Sequence, residues 1–262
     1  MKRLFVSDVD QTLLSEGNTE FSNLFKDTVR ELVERGDQFV LCSGRPTQNL
    51  IDVAIELREE GIMLKYVAGY NGVEIYDLEK EKVIVYNGFD VTEVSEICNY
   101  LEGKEYSYMI YDEDALKTNV PEHHMTIRES GFTGTPITPV DEYCASPKVL
   151  VVVDPEENGK HVEIIKNDLP QYEVFNSMLY FVEIVKKGIN KSTALKEIAK
   201  LEMVEHPHTF GFGDGGNDIA LIEYAATGVA VENGSDEIKE TADVVIGTVF
   251  DDSVAKYLSE LV

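Results

Sequence analysis

Phe5-Val6-Ser7-Asp8-Val9-Asp10-Gln11-Thr12-Leu13-Leu14 opens as a short apolar run and carries two carboxylates where that run ends. Side chains at i and i+2 of a strand point the same way, so a strand carried through this stretch aims Asp8 and Asp10 at one spot. Two uncompensated carboxylates that close repel each other, and one is driven neutral. A cation between them resolves the conflict. A hard divalent ion such as Mg²⁺ takes oxygen ligands and keeps waters and substrate phosphate in its shell, so the stretch points towards phosphate chemistry. The plain alternative is a pair of polar residues in a solvated strand-to-helix turn. An EF-hand calcium loop is excluded, because the glycine and the closing glutamate it needs are missing.

Outward from this stretch the chain alternates between two periods. Phe21, Leu24, Phe25, Thr28, Val29, Leu32 and Val33 line one face of a helix, with Gly36 as its C-cap. Residues 38–42 read as a buried strand that runs into Ser43-Gly44-Arg45-Pro46. Leu50, Val53, Ala54 and Leu57 mark a second helix stopping at Gly61, and 66–68 is strand-like. The rhythm resumes at Asn190, a good N-cap, with Ala194, Leu195, Ile198 and Ala199. A strand at 209–212 then enters Gly213-Asp214-Gly215-Gly216-Asn217-Asp218. Helix 217–225, strand 228–231, helix 235–241, strand 243–246 and a terminal helix follow. Such alternation implies a parallel sheet with right-handed crossovers.

The middle of the chain breaks that rhythm. A hairpin at 73–76 and 82–86 leads to a helix with Val94, Ile97, Cys98 and Leu101. An aromatic strand (106–111), an irregular stretch to Ser146, strands at 148–154, 172–176 and 179–185, and a helix near 158–168 complete the section. The expected organisation is an α/β core made of residues 1–82 and 187–262, interrupted by an inserted α+β unit at 83–186.

The chain has 262 residues, with 23 Lys and Arg against 49 Asp and Glu, a net charge of −26. That surface repels phosphate backbones and anionic membranes, which argues against nucleic acid or membrane partners. A phosphorylated substrate therefore needs local cationic help. Cys42, Cys98 and Cys144 have no metal-ligand spacing and leave an odd count, which suits reduced thiols in a cytoplasmic protein; Cys42 and Cys98 fall in apolar patterns and read as small core residues. The N-terminal apolar run is too short for a signal peptide, and no segment reaches membrane-spanning length. Oligomeric state is left open.

Four segments share one placement, each following a parallel strand or opening the helix after it: Asp8/Asp10/Thr12, Ser43-Gly44-Arg45, Lys191 and Asp214 to Asp218. Ligands of open α/β sheets bind outside the carboxyl ends of the strands, so these segments converge on one rim. A carboxylate can attack phosphorus, and Asp8 is assigned that part. Asp10 can protonate the departing oxygen and later deprotonate water. Mg²⁺ would be held by Asp8, the backbone carbonyl of Asp10 and Asp214. Ser43 and Lys191 can stabilise the equatorial oxygens, and Thr12 can orient Asp8 or donate to phosphate. Gly44 and Asn217 complete the phosphate-binding set, with Asp218 in support. Arg45 either joins that set or braces the rim through an ion pair.

These residues, with Asn71-Gly72, make the chain resemble the haloacid dehalogenase superfamily, and within it the Cof-type phosphatases with a large cap after the second motif. The resemblance implies a Rossmann-like parallel-sheet core, an α/β cap over the site, Mg²⁺, and hydrolysis of small phosphomonoesters, often sugar phosphates, through an aspartyl phosphate. Two departures stand out: Gln11 where the family usually has glycine, and Ser192 after Lys191 where glycine is usual. Lys186 and Lys187 compete for the lysine position. A sugar phosphomutase and a non-enzymatic sensor of a phosphorylated metabolite are the alternatives. His123-His124 and His206-Pro207-His208 read as loop residues, and Arg128 and Lys148 as solvent-facing cations.

Overall fold

Leu4–Ser7 (β1) is buried at every position, the mark of a central strand covered on both faces. Strand alternation sends Phe5 to one side and Leu4 and Val6 to the other. This computed structural model describes residues 1–112 and 115–262. After β1 come Asn23–Glu34 (α1), Gln38–Cys42 (β2), Thr47–Glu59 (α2), Tyr66–Gly69 (β3), Glu74–Asp77 (β4) and Lys82–Tyr86 (β5). Next are Val91–Gly103 (α3), Ser107–Tyr111 (β6), Leu116–Thr118 (β7), His124–Thr133 (α4), Ile137–Pro139 (β8), Val149–Val152 (β9), Asn158–Asp168 (α5), Tyr172–Met178 (β10) and Phe181–Lys186 (β11). Last are Lys191–Glu202 (α6), Thr209–Gly213 (β12), Ile219–Tyr224 (α7), Thr227–Val231 (β13), Asp236–Thr241 (α8), Val244–Ile246 (β14) and Ser253–Ser259 (α9).

The chain divides into two units, Met1–Tyr86 with Asn190–Val262, and Asn87–Ile189. In the first, eight strands among the described residues form one sheet in the order β14-β13-β12-β1-β2-β3-β4-β5. All neighbours from β14 to β3 are parallel, and β4 and β5 extend the sheet antiparallel. Sequence runs outward from β1 through β2 and β3, then returns to β1's other side at β12. The strand order therefore reverses between β1 and β12, where open α/β sheets form their binding crevice.

Helices cover both faces of this sheet. Phe25, Val29 and Leu32 of α1, Leu50 and Leu57 of α2, and Val254 and Leu258 of α9 pack on Phe5, Phe39 and Phe212. On the other face Ala194, Leu195 and Ile198 of α6 and Leu221 of α7 meet Leu4, Val6, Val40 and Cys42. Ser22 caps α1 by accepting the Phe25 N–H at 2.9 Å, which starts that helix where its apolar face begins.

The second unit has a six-stranded sheet among the described residues, ordered β10-β11-β9-β6-β7-β8. Val94, Ile97, Cys98 and Leu101 of α3 and Ile165 of α5 pack on Tyr108, Ile110, Val149, Val151, Val182 and Ile184. Cys42 and Cys98 are both buried.

Sequence expectations change at several points. The units divide after Tyr86 and Ile189 rather than after 82 and 186, because β5 hydrogen-bonds to β4 and stays with the first sheet. The stretch expected to be irregular holds β7, α4 and β8. Strands of three residues are too short to show a period of two, and α4 contains Gly131 and only scattered apolar residues, so neither pattern was readable. His123 is the N-cap of α4, its Nδ1 accepting the Met125 N–H at 3.2 Å. Lys148 pairs with Glu183 at 3.2 Å rather than facing water, while Arg128 is exposed. Among the described residues no helix is long and apolar enough to cross a membrane.

Candidate active site

The strand that should have carried both acids stops at Ser7. The Asp8 N–H still bonds the Phe212 carbonyl at 3.0 Å, after which the N–H groups of Leu13 and Leu14 both turn back to the Val9 carbonyl at 2.9 Å. Gln11 takes the left-handed conformation at φ 62°. Extended geometry therefore ends between the two acids, and the i, i+2 rule ends with it. Asp8 is 5% exposed, whereas the Asp10 side chain is half-exposed and held by Arg45, whose Nε donates to Oδ2 at 2.8 Å and whose second guanidinium N–H reaches Oδ1. The expectation that both carboxylates aim at one spot is corrected on this ground. The carboxylates that gather with Asp8 are those of Asp214 and Asp218, with one oxygen of each lying within 4.8 Å of the others.

Lys191 joins them. It is the first residue of α6, whose N-cap Asn190 accepts the Ser192 N–H at 3.0 Å, so the helix start fixes where the lysine points. Its side chain is fully buried and its Nζ donates to both Asp8 Oδ1 and Asp218 Oδ1. Asp218 Oδ2 in turn accepts the N–H groups of Asp214 at 3.1 Å and Gly215 at 3.0 Å. One carboxylate thus ties the lysine to the loop after β12. Gly213 must lack a side chain, since a Cβ there would fall inside Asp218.

Thr12 is buried, and its hydroxyl donates to Asp214 Oδ1 at 3.0 Å. It orients that acid rather than Asp8, the first of the two parts the sequence offers it. Ser43 follows β2, is 2% exposed, and its Oγ accepts the Arg45 N–H at 3.2 Å. Gly44 lies against Asn71, and Asn217, at the solvent edge, donates from Nδ2 to Asn71 Oδ1 at 3.1 Å. Lys186 pairs with Glu93 at 2.8 Å and Lys187 donates to the Pro170 carbonyl, so neither joins the acids. Between phosphate contact and a bracing ion pair, Arg45 makes the ion pair here.

Three carboxylates share one ammonium. Burial pushes the Asp8 carboxyl up to about 8; Lys191 pulls it down, but the charges of Asp218 and Asp214 add to the rise. Asp214 is likewise raised, by burial and then by Asp218, against the Thr12 hydroxyl. Burial opposes the charge on Lys191, yet Asp218 and Asp8 outweigh it and hold the ammonium above its usual range. The neighbouring Cys42 thiol is pushed up to about 12 by burial and stays neutral. A cluster this rich in oxygen donors and short of positive charge fits a hard divalent cation, with Asp8 and Asp214 as the carboxylates able to hold it. Sequence reasoning gave Asp218 only a supporting part, and it assigned no part to Asn71. The Asn-Gly dipeptide was the available signal for the latter.

A family model described as haloacid dehalogenase-like hydrolase matches residues 5–258. The chain is 28% identical to the Bacillus subtilis protein YxeH over 100% of its own length and 99% of that protein's. It is 26% identical to the pyridoxal phosphate phosphatase YbhA of Escherichia coli, over 98% of this chain and 97% of that one. A solved haloacid dehalogenase-like hydrolase from Bacteroides thetaiotaomicron superposes with a TM-score of 0.86 at 26% identity, covering 100% of both chains.

Proposed function

The chain belongs to the haloacid dehalogenase-like hydrolases and is a phosphoric monoester hydrolase, and from that premise we propose that it hydrolyses small phosphorylated metabolites, sugar phosphates among them, through an aspartyl phosphate on Asp8. The observation that carries this reading is the fully buried Lys191 ammonium bridging Asp8 and Asp218 beside Asp214. A buried ammonium keeps a carboxylate in place and supplies positive charge where a phosphoryl group gains negative charge.

Asp8 attacks phosphorus in line with the ester oxygen; the P–O bond to the alcohol breaks, and Asp10 gives its proton to the departing alkoxide. Water then attacks the acyl phosphate, Asp10 accepts the proton, and inorganic phosphate leaves with Asp8 restored. For either transfer Asp10 must leave its pair with Arg45, and its half-exposed position at the rim permits that rotation. Lys191 and Ser43 face the charge that spreads over the equatorial oxygens. The Asp8 and Asp214 carboxylates and the Asp10 carbonyl would hold Mg²⁺, which when bound would screen the acids from the incoming phosphate. Thr12 and Asp218 fix Asp214 for that task.

The test is phosphate release from phosphosugars, nucleotides, cofactor phosphates and an aryl phosphate, with MgCl₂ or with chelator. Release that depends on Mg²⁺ and disappears in Asp8→Asn supports the reading. Full activity in Asp8→Asn would sink the nucleophile assignment, and an isomerised sugar phosphate as sole product would replace hydrolysis by a mutase.

A further inference from the structure

Tyr70, Asn71 and Gly72 hold three successive positive φ angles of 49°, 58° and 87°. Residues with a Cβ enter this region against steric resistance and stay there only where the surroundings dictate it. Here the surroundings are visible. The Tyr70 N–H bonds the Arg45 carbonyl at 2.9 Å and the Asn71 N–H bonds the Ser43 carbonyl at 2.8 Å. At Gly72 a Cβ would lie 2.7 Å from the Asn190 carbonyl oxygen. The turn is therefore clamped between the loop after β2 and the residue that caps α6, two of the segments that build the site.

The clamp fixes one carboxamide. Asn71 Oδ1 accepts from Asn217 Nδ2 at 3.1 Å. Its Nδ2 donates to no protein group among the described residues, and that nitrogen stands 3.3 Å from where a Cβ on Gly44 would be. An amide with its acceptor tied and its two N–H donors unused lies between Ser43 and Asn217. Asparagine tolerates the left-handed region, so the turn accepts this side chain and leaves its amide available for a further part. A neutral donor also suits this rim, where the Lys191 and Arg45 cations are already paired with carboxylates.

We propose that Asn71 binds the substrate's phosphoryl group, its Nδ2 donating to a non-bridging oxygen held between Ser43 and Asn217; this rests on the hydrolase reading above. Gly44 then serves to leave the approach to that nitrogen open. A hydrogen bond from a neutral amide to a phosphate oxygen is worth about tenfold in affinity.

Asn71→Gly tests this, because it keeps the left-handed turn and deletes the amide, and Asn217→Ala in parallel shows how much of any loss comes from the Asn71–Asn217 bond. Isothermal titration of the Mg²⁺-loaded protein with inorganic phosphate should give a Kd about tenfold weaker in Asn71→Gly, and weaker again in Asn71→Asp, where a carboxylate meets the anion. KM for an aryl phosphate should rise by a similar factor of about ten while kcat moves much less, with no fall in Tm. Wild-type Kd for phosphate in Asn71→Gly overturns the proposal, whether or not Tm changes. Failure of the hydrolase reading looks different: the wild-type protein then releases no phosphate from any ester, while the titration still reports on Asn71.

Discussion

Asp8→Asn should separate stability from turnover, with a sign that depends on pH. The Asp8 carboxyl is raised from 3.8 to about 8 in the metal-free fold, by burial first and by Asp218 and Asp214 against Lys191. A raised carboxyl means that the folded state holds the proton more tightly than the unfolded chain. Its contribution to stability is therefore complete at acid pH and is lost as pH rises through about 8. Each tenfold displacement of a protonation equilibrium is about 1.4 kcal/mol, which sets a ceiling of roughly 6 kcal/mol by which ionising Asp8 weakens the fold. Asparagine has no proton to lose and escapes that penalty. Its weaker acceptor for Lys191 and one unmatched amide N–H each offset on the order of 2 kcal/mol. In chelator, urea unfolding at about pH 8 should then favour the variant by about 2 kcal/mol. At about pH 5 the penalty has shrunk to less than the two losses, and the order should reverse. Phosphate release should fall by about 10⁴ or more at every pH, since the attacking oxygen is gone. Saturating MgCl₂ at about 100 Kd should stabilise the wild-type protein by about 2.7 kcal/mol and narrow the gap. A variant less stable than wild type at both pH values would refute the electrostatic reasoning.

Lys191→Met should cost about 3–5 kcal/mol in urea unfolding, because it leaves two buried carboxylates without their cation; kcat should fall at least about 10³-fold. Thr12→Val removes the hydroxyl that orients Asp214, and calorimetric Mg²⁺ affinity should drop about 10- to 100-fold with little change in Tm. Glu202 is partly opposed by burial, but hydrogen bonds from Lys2, Lys65 and Tyr66 bring its carboxyl down to about 2. That depressed value gives stability present above about pH 4.5 and lost as pH falls through about 2. After allowing for the solvent that screens both lysines, Glu202→Gln should lose about 1–2 kcal/mol at neutral pH and nothing measurable below about pH 2.

Elements were legible where one side-chain period ran long enough to dominate. Gln38–Cys42 was read at the bounds the structure has, since buried parallel strands are continuous apolar runs and the Gly36 turn and Ser43-Gly44 punctuate this one. The alternation of such strands with helices also made the rim readable, because strand ends in a parallel sheet share an edge. What failed was local geometry beyond a strand end. Asp10 was misdirected because the i, i+2 rule was carried past Ser7, into a turn where Gln11 is left-handed. Of the two parts the sequence offers Thr12, orienting Asp8 or donating to phosphate, neither names Asp214, because that acid is 202 residues away in sequence and no pattern of spacing reports a bond across the switch point. Asp218 looked secondary because its part is to hold Lys191 and the Asp214 backbone together, a task visible only from its two oxygens.

The charge distribution makes one demand on any mechanism here. Among the described residues the rim has two cations, Lys191 and Arg45, and both are already bound to carboxylates. Asp8, Asp214 and Asp218 outnumber the one ammonium they share, on a chain of net charge −26. A phosphate dianion entering that field meets repulsion unless charge arrives with it or before it. Neutral donors such as the Asn71 amide can orient the anion but cannot cancel the field. A divalent cation at Asp8 and Asp214 would cancel it, and its charge would pull the Asp8 carboxyl down against the burial that raises it, favouring the ionised form that attack on phosphorus requires. Burial and the neighbouring acids that together raise the Asp8 carboxyl thus place the same demand on the proposed mechanism, a cation at this cluster before the phosphate arrives.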